Sequence, residues 1–93
     1  MSQSQIHVEP ERLRAFADEL TSFVDVVEEQ LSALKRNVSN LGETWRDHEF
    51  EKFKDEFEAA QHVLSQFAEE ARQTVPSLRR DAERIEEYQN FRG

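Results

Sequence analysis

The sequence predicts an all-α protein: an antiparallel two-helix hairpin, dimerising into a four-helix bundle. Three observations carry that prediction. Apolar residues recur in steps of three and four through Ala17, Leu20, Val24, Val27, Leu31, Leu34, Val38, Leu41 and Trp45. The same steps resume through Phe50, Phe53, Phe57, Ala60, Leu64, Phe67, Ala71, Thr74 and Leu78 and, after Asp81, Ile85 and Tyr88. Such spacing lays one stripe along each of two long helices. Between them, Leu41 to His48 is the interior stretch best suited to reverse the chain, and a short reversal makes the helices antiparallel. Finally, two Gly and two Pro in 93 residues leave too few turn-makers for several strands.

Taken in order, residues 1 to about 8 read as unstructured, with Ile6 and Val8 able to pack at the open end of the hairpin. Glu9-Pro10-Glu11 starts the first helix, since proline suits a first turn and acids favour the positive end of the dipole. That helix is expected over about 10–41. Leu13, Phe16, Leu20, Phe23 and Val27 form a second apolar row beside the first, too wide a stripe for one partner helix to cover, which favours a dimer. Gly42 suits the left-handed residue just past the helix end. The turn spans about 42–47, and two caps compete for the second helix. Thr44 could cap it with Asp47 at the third position, but that leaves only Gly42 and Glu43 to reverse the chain. Asp47, with His48 and Glu49 in the first turn, fits better. Trp45 then plugs the turn.

The second helix is expected over about 48–89, completing a single hairpin domain across 1–93. In antiparallel register Phe50, Phe53 and Phe57 meet Leu41, Val38 and Leu34. Continuing it sets Leu64 on Val27, Phe67 on Val24, Ala71 on Leu20 and Leu78 on Leu13. Leu20, Val24, Val27, Leu31, Leu34, Val38, Phe50, Phe53, Phe57, Leu64 and Phe67 are the expected hairpin and dimer core. Pro76 opposes an unbroken helix, because it removes the bond to the Arg72 carbonyl at a cost of roughly 3 kcal/mol. The apolar phase continues past it, so a kink is favoured over a separate C-terminal helix. Asn90 to Gly93 are expected to fray.

Composition removes several function classes. Without Cys there is no disulfide framework, thiolate zinc site or Cys nucleophile. A formal charge of −8 opposes nucleic acid and anionic lipid. No apolar run nears the ~18 residues of a membrane span, which predicts a soluble chain. Met1 to Gln5 lack basic and apolar character, so no conventional signal peptide is read. His48 and His62 could ligate a metal, but a bundle site needs Glu-x-x-His, and three residues before them stand Trp45 and Ala59. Both read as surface residues, His7 falls in the N-terminal arm, and no metal or cofactor is expected. The acid-rich runs 49–58 and 81–87, interleaved with Lys and Arg, read as solvated helix faces. No phosphate loop, nucleophile elbow or clustered triad is present, so no enzyme is expected.

Ile6-His7-Val8-Glu9-Pro10-Glu11-Arg12-Leu13, followed by Ala17 and Leu20, resembles the opening of the WXG family, the early-secreted-antigen-like hairpins of type VII secretion. That family's signature is Trp-X-Gly in the turn, with an aromatic residue about two turns later. Here Trp45 holds the tryptophan place, and Phe53 and Phe57 fall where the family carries bulky apolar residues. Two departures stand out. Asp47 occupies the glycine place, giving Trp-X-Asp. Exported members commonly carry Tyr-X-X-X-Asp/Glu after the second helix, whereas Tyr88 is followed four positions later by Arg92. Tyr88 thus reads as a degenerate export signal or as a heptad residue of the last layer.

The resemblance implies a small protein of a type VII-related pathway, an exported substrate or a dimeric partner of a larger effector. It further implies a secretion ATPase as a reader of the signal. The alternative is a cytoplasmic interaction or targeting-chaperone module that is not exported. Similar charge in the two halves favours a homodimer, with a related hairpin protein as the other candidate partner.

Overall fold

A computed structural model of the chain describes residues 8–92. Two helices account for most of them: α1, Pro10–Leu41, and α2, His48–Arg92. They lie against each other as an antiparallel hairpin, with no strand among the described residues. The molecule measures 67 × 28 × 14 Å with a radius of gyration of 20.5 Å. A compact chain of this length has a radius near 12 Å. The hairpin is therefore a single layer, and the face that would become interior in a bundle is still surface.

Pro10 opens α1, and the Glu9 carbonyl accepts the Arg12 and Leu13 N–H groups at 3.0 and 3.2 Å. Ile6 and His7 lie outside the described residues, while Val8 is exposed. At the other end of α1, Gly42 differs from the sequence expectation. It is right-handed, φ −65° and ψ −13°, and no described residue has positive φ. The chain reverses instead by continued tight winding: the Thr44 and Trp45 N–H groups both donate to the Leu41 carbonyl, at 3.1 and 2.8 Å. Glycine is needed here for space. A Cβ at residue 42 would lie 2.9 Å from Cζ of Phe50, inside van der Waals contact.

α2 continues through Pro76 as one helix and reaches Arg92, past the expected end near residue 89. Pro76 is exposed, so water can satisfy the Arg72 carbonyl that its ring leaves without a donor. Replacing it with alanine restores that bond. We expect Pro76→Ala to stabilise the hairpin by about 2 kcal/mol, a rise of roughly 10 °C in a thermal melt.

The seam is built from small residues. Its buried apolar members are Ala17, Val24, Val38, Phe50, Ala68, Ala71, Val75 and Ala82. Val24, Ala68 and Ala71 form one cluster, with Leu20 packed against it. This corrects the face assigned to α2. Phe57, Ala71, Leu78 and Ile85 are buried or half-buried along the seam, whereas Leu64 is 41% exposed. Their second row is Gln61, Ala68, Val75 and Ala82, not Ala60, Phe67 and Thr74. Helix α2 is turned so that Ala68 takes the place against Val24 assigned to Phe67. Alanines in the seam let the backbones approach closely, and the Phe67 ring is displaced to the flank.

Candidate interaction site

The turn is held by Asp47, whose Oδ1 accepts the Phe50 N–H at 3.0 Å. Thr44 points the other way: its hydroxyl donates to the Leu41 carbonyl at 3.4 Å, closing α1 and leaving α2 to Asp47. Trp45 is half-buried, its ring centroid 5.1 Å from that of Phe50, which is only 4% exposed. Aspartate in place of glycine thus joins both aromatics at the turn. The Phe50 amide, then the Trp45 side chain, hold the Asp47 carboxyl below its ordinary value. Arg14 does the same for the Glu86 carboxyl, first by hydrogen bonding.

A depressed carboxyl stabilises the fold above its unfolded-state pKa, and the contribution is lost as pH falls through the lower folded value. Acid should therefore weaken the hairpin below about pH 4, where carboxylates titrate. Asparagine also caps helices. Asp47→Asn should keep the helical circular dichroism at neutral pH and flatten the acid limb of the melting-temperature curve.

The two flanks of the seam differ. On one, Arg72 donates to Asp25 at 2.7 Å and also pairs with Glu28, Arg79 meets Asp18 at 2.8 Å, and Arg14 forks onto Glu86 at 2.8 and 3.2 Å. Exposed pairs such as these add little stability each, but they occupy that flank with intramolecular charge. On the other flank the repeat positions carry Phe16, Phe23, Val26, Phe53, Val63, Phe67 and, at the end, Tyr88 and Phe91. All are exposed, and the Phe23 and Phe67 rings stand edge to face at 6.4 Å. A groove of about 390 Å³ beside them is lined by Val27, Leu31, Leu34 and Leu64.

The residues expected in the core therefore separate. Val24, Val38 and Phe50 are buried within one chain, whereas Leu20, Val27, Leu31 and Phe57 are half-buried. Leu34, Phe53, Leu64 and Phe67 are exposed on the apolar flank. Sequence reasoning missed Ala68, Val75 and Ala82, although their seven-residue recurrence is visible in the sequence. Among the described residues no three His, Asp or Glu side chains gather into a metal site. Nor is any described helix long and apolar enough to cross a membrane.

A one-layer helical hairpin with an aromatic-plugged turn, one ion-paired flank and one apolar flank defines a small helical-hairpin protein. The family model WXG100, described as proteins of 100 residues with WXG, matches residues 5–89. The chain belongs to the WXG100 family. This is a family of small helical secretion-related proteins of the type VII kind, which typically pair as hairpin dimers and are not enzymes. No curated protein matches the chain.

Proposed function

We propose that the chain acts as a homodimer in a type VII-related secretion pathway, as an exported substrate or as the partner of a larger effector. The carrying observation is the contrast between flanks: large apolar side chains lie exposed on one, while the other is closed by ion pairs. A patch of that extent marks an interaction surface, and a second hairpin laid on it completes a four-helix bundle.

Charge favours an antiparallel pairing of the two copies. Residues 35–54 around the turn hold five Lys or Arg against four Asp or Glu, and the remaining residues hold seven against sixteen. Opposed turns set each near-neutral tip beside the acidic stem of the other copy, instead of stem on stem. Trp45 and the Asp47 cap shape the bundle end. Tyr88, on the apolar flank, lies in the degenerate signal region read by a secretion ATPase.

Fractionation of the native host, with a lysis control, tests export. We expect the protein in the medium, and its loss from the medium when the secretion ATPase is deleted. Full retention in cells with the pathway active would refute export. It would favour the second reading, a cytoplasmic adaptor or targeting chaperone, whose motivating observation is Arg92 where exported relatives carry an acid.

A further inference from the structure

The apolar flank is uneven, and the unevenness has a pattern. On α2 its exposed residues at seven-residue spacing are Phe53, Ala60, Phe67 and Thr74, large and small in alternation. Thr74 is apolar in effect, because its hydroxyl donates to the Glu70 carbonyl at 3.0 Å. On α1 the matching exposed row is Phe16 and Phe23, then Gln30 and Asn37. The Phe23–Phe67 contact fixes one row against the other, since each residue forward along α1 is level with one residue back along α2. Phe16 is then level with Thr74, Gln30 with Ala60, and Asn37 with Phe53. The two rings of Phe23 and Phe67 make a ridge. Seven residues nearer the turn, Gln30 and Ala60 make a waist, where the groove of about 390 Å³ is lined by Gln30, Ala33, Asn37 and Leu64.

A second copy can be laid on this flank in two symmetric ways. With both turns at one end, α1 lies over the partner's α2 and equal levels meet. Ridge then strikes ridge, and the two waists enclose a void. With the turns opposed, α1 lies over the partner's α1 and α2 over its α2, so levels are exchanged about a twofold axis. An axis midway between ridge and waist, at residues 26–27 of α1 and 63–64 of α2, sets each large residue on a smaller one. Phe67 meets the partner's Ala60 and Phe53 the partner's Thr74. Phe23 meets the partner's Gln30 and Phe16 the partner's Asn37. Each helix requires this axis by its own row, and the two positions are level in the hairpin. Val26 and Val63, exposed in the single chain, then lie beside the axis.

We infer that the apolar flank is shaped for a second copy of this chain in a single register, with the ridge of each hairpin seated in the waist of the other. This rests on the homodimer proposed above and adds which residues meet. Shape decides against the other registers. A slip of one heptad moves the axis to Phe23 and Phe67 or to Gln30 and Ala60. The first sets Phe67 on its own counterpart, and the second sets it on the partner's Phe53. Either way ring strikes ring and Ala60 has none over it. Gln30 and Asn37 are thus register-setting residues: a phenylalanine continued through them would make the α1 row uniform, and uniform rows slide. The inference does not depend on export.

The chain has no cysteine, so single introduced thiols report the axis by disulfide formation. Val63→Cys should crosslink two full-length copies, since its counterpart lies across the axis. Thr74→Cys, about 30 Å from its counterpart along the helix, should not. Sedimentation supplies the second arm. Ala60→Phe should weaken the dimer roughly tenfold or more, because the partner's Phe67 holds that space. Phe67→Ala alone should weaken it too. Combining them exchanges large and small across the axis, and the double variant should pair more tightly than either single one. Residues 60 and 67 are exposed in the hairpin, so the seam is kept, and far-UV circular dichroism checks each fold. A monomer at every concentration overturns the homodimer and this register with it. A dimer that Val63→Cys does not crosslink, or that Ala60→Phe leaves unchanged, overturns the register and leaves the homodimer standing. So does a double variant weaker than both single ones. Crosslinks that form only when Val26→Cys and Val63→Cys chains are mixed would place both turns at one end, which also overturns it.

Discussion

Phe67→Glu is expected to turn a dimeric hairpin into a monomer that retains its helical content. Phe67 is 45% exposed and Phe23, its edge-to-face partner, 55% exposed, so neither supports the seam of one chain by burial. In the proposed bundle both rings enter the interface, where large aromatics contribute most. A carboxylate there would be taken out of water without a cation beside it. The loss should be about 2–4 kcal/mol, a dissociation constant raised roughly 30- to 1,000-fold. Sedimentation of wild type and variant across a dilution series measures this directly. Arg79→Ala, which removes an exposed pair with Asp18 on the other flank, should leave the dimer intact. Added salt should tighten wild-type pairing, because it screens the repulsion between two chains of charge −8. Wild-type pairing by Phe67→Glu would exclude the apolar flank as the interface.

The same residue marks the limit of what the sequence discloses. The hairpin is legible because heptad spacing on both sides of a glycine-containing turn admits few other folds. Which row joins the seam is less legible, because positions 67 and 68 both neighbour the row of Leu64 and Ala71. Hydropathy favours the phenylalanine. Close backbone approach favours the alanine, and Ala68, Val75 and Ala82 decide it together. The apolar width of the first helix, read through Phe16 and Phe23, nevertheless pointed to surface that one partner helix does not cover, and those two rings are exposed. Family membership was legible in Trp45 and its place between the heptads, even with aspartate at position 47. The ion pairs were not, because Arg72 could have reached several acids and only the register selects Asp25 and Glu28.

Phe50→Ala should be the most damaging single change in the turn. The ring is 4% exposed, packs on Trp45 and lies over Gly42, while its own N–H satisfies Asp47. Truncating a buried phenylalanine costs about 3–5 kcal/mol, enough to lower the melting temperature of a chain this size by roughly 20 °C. The informative experiment pairs it with Gly42→Ala. Residue 42 is right-handed, so alanine suits its backbone and should gain about 0.4–1 kcal/mol from the unfolded state. In wild type that gain is opposed by the 2.9 Å approach to Phe50, and overpacking of this kind costs about 1–3 kcal/mol. Gly42→Ala alone should therefore destabilise. In the Phe50→Ala background the obstructing ring is gone, and the same substitution should stabilise. A sign reversal of this kind is the coupling expected of two sites in direct contact. A left-handed glycine would give the opposite pattern, with alanine destabilising in both backgrounds. Denaturant melts of the four proteins thus separate a glycine kept for space from one kept for its dihedral angles.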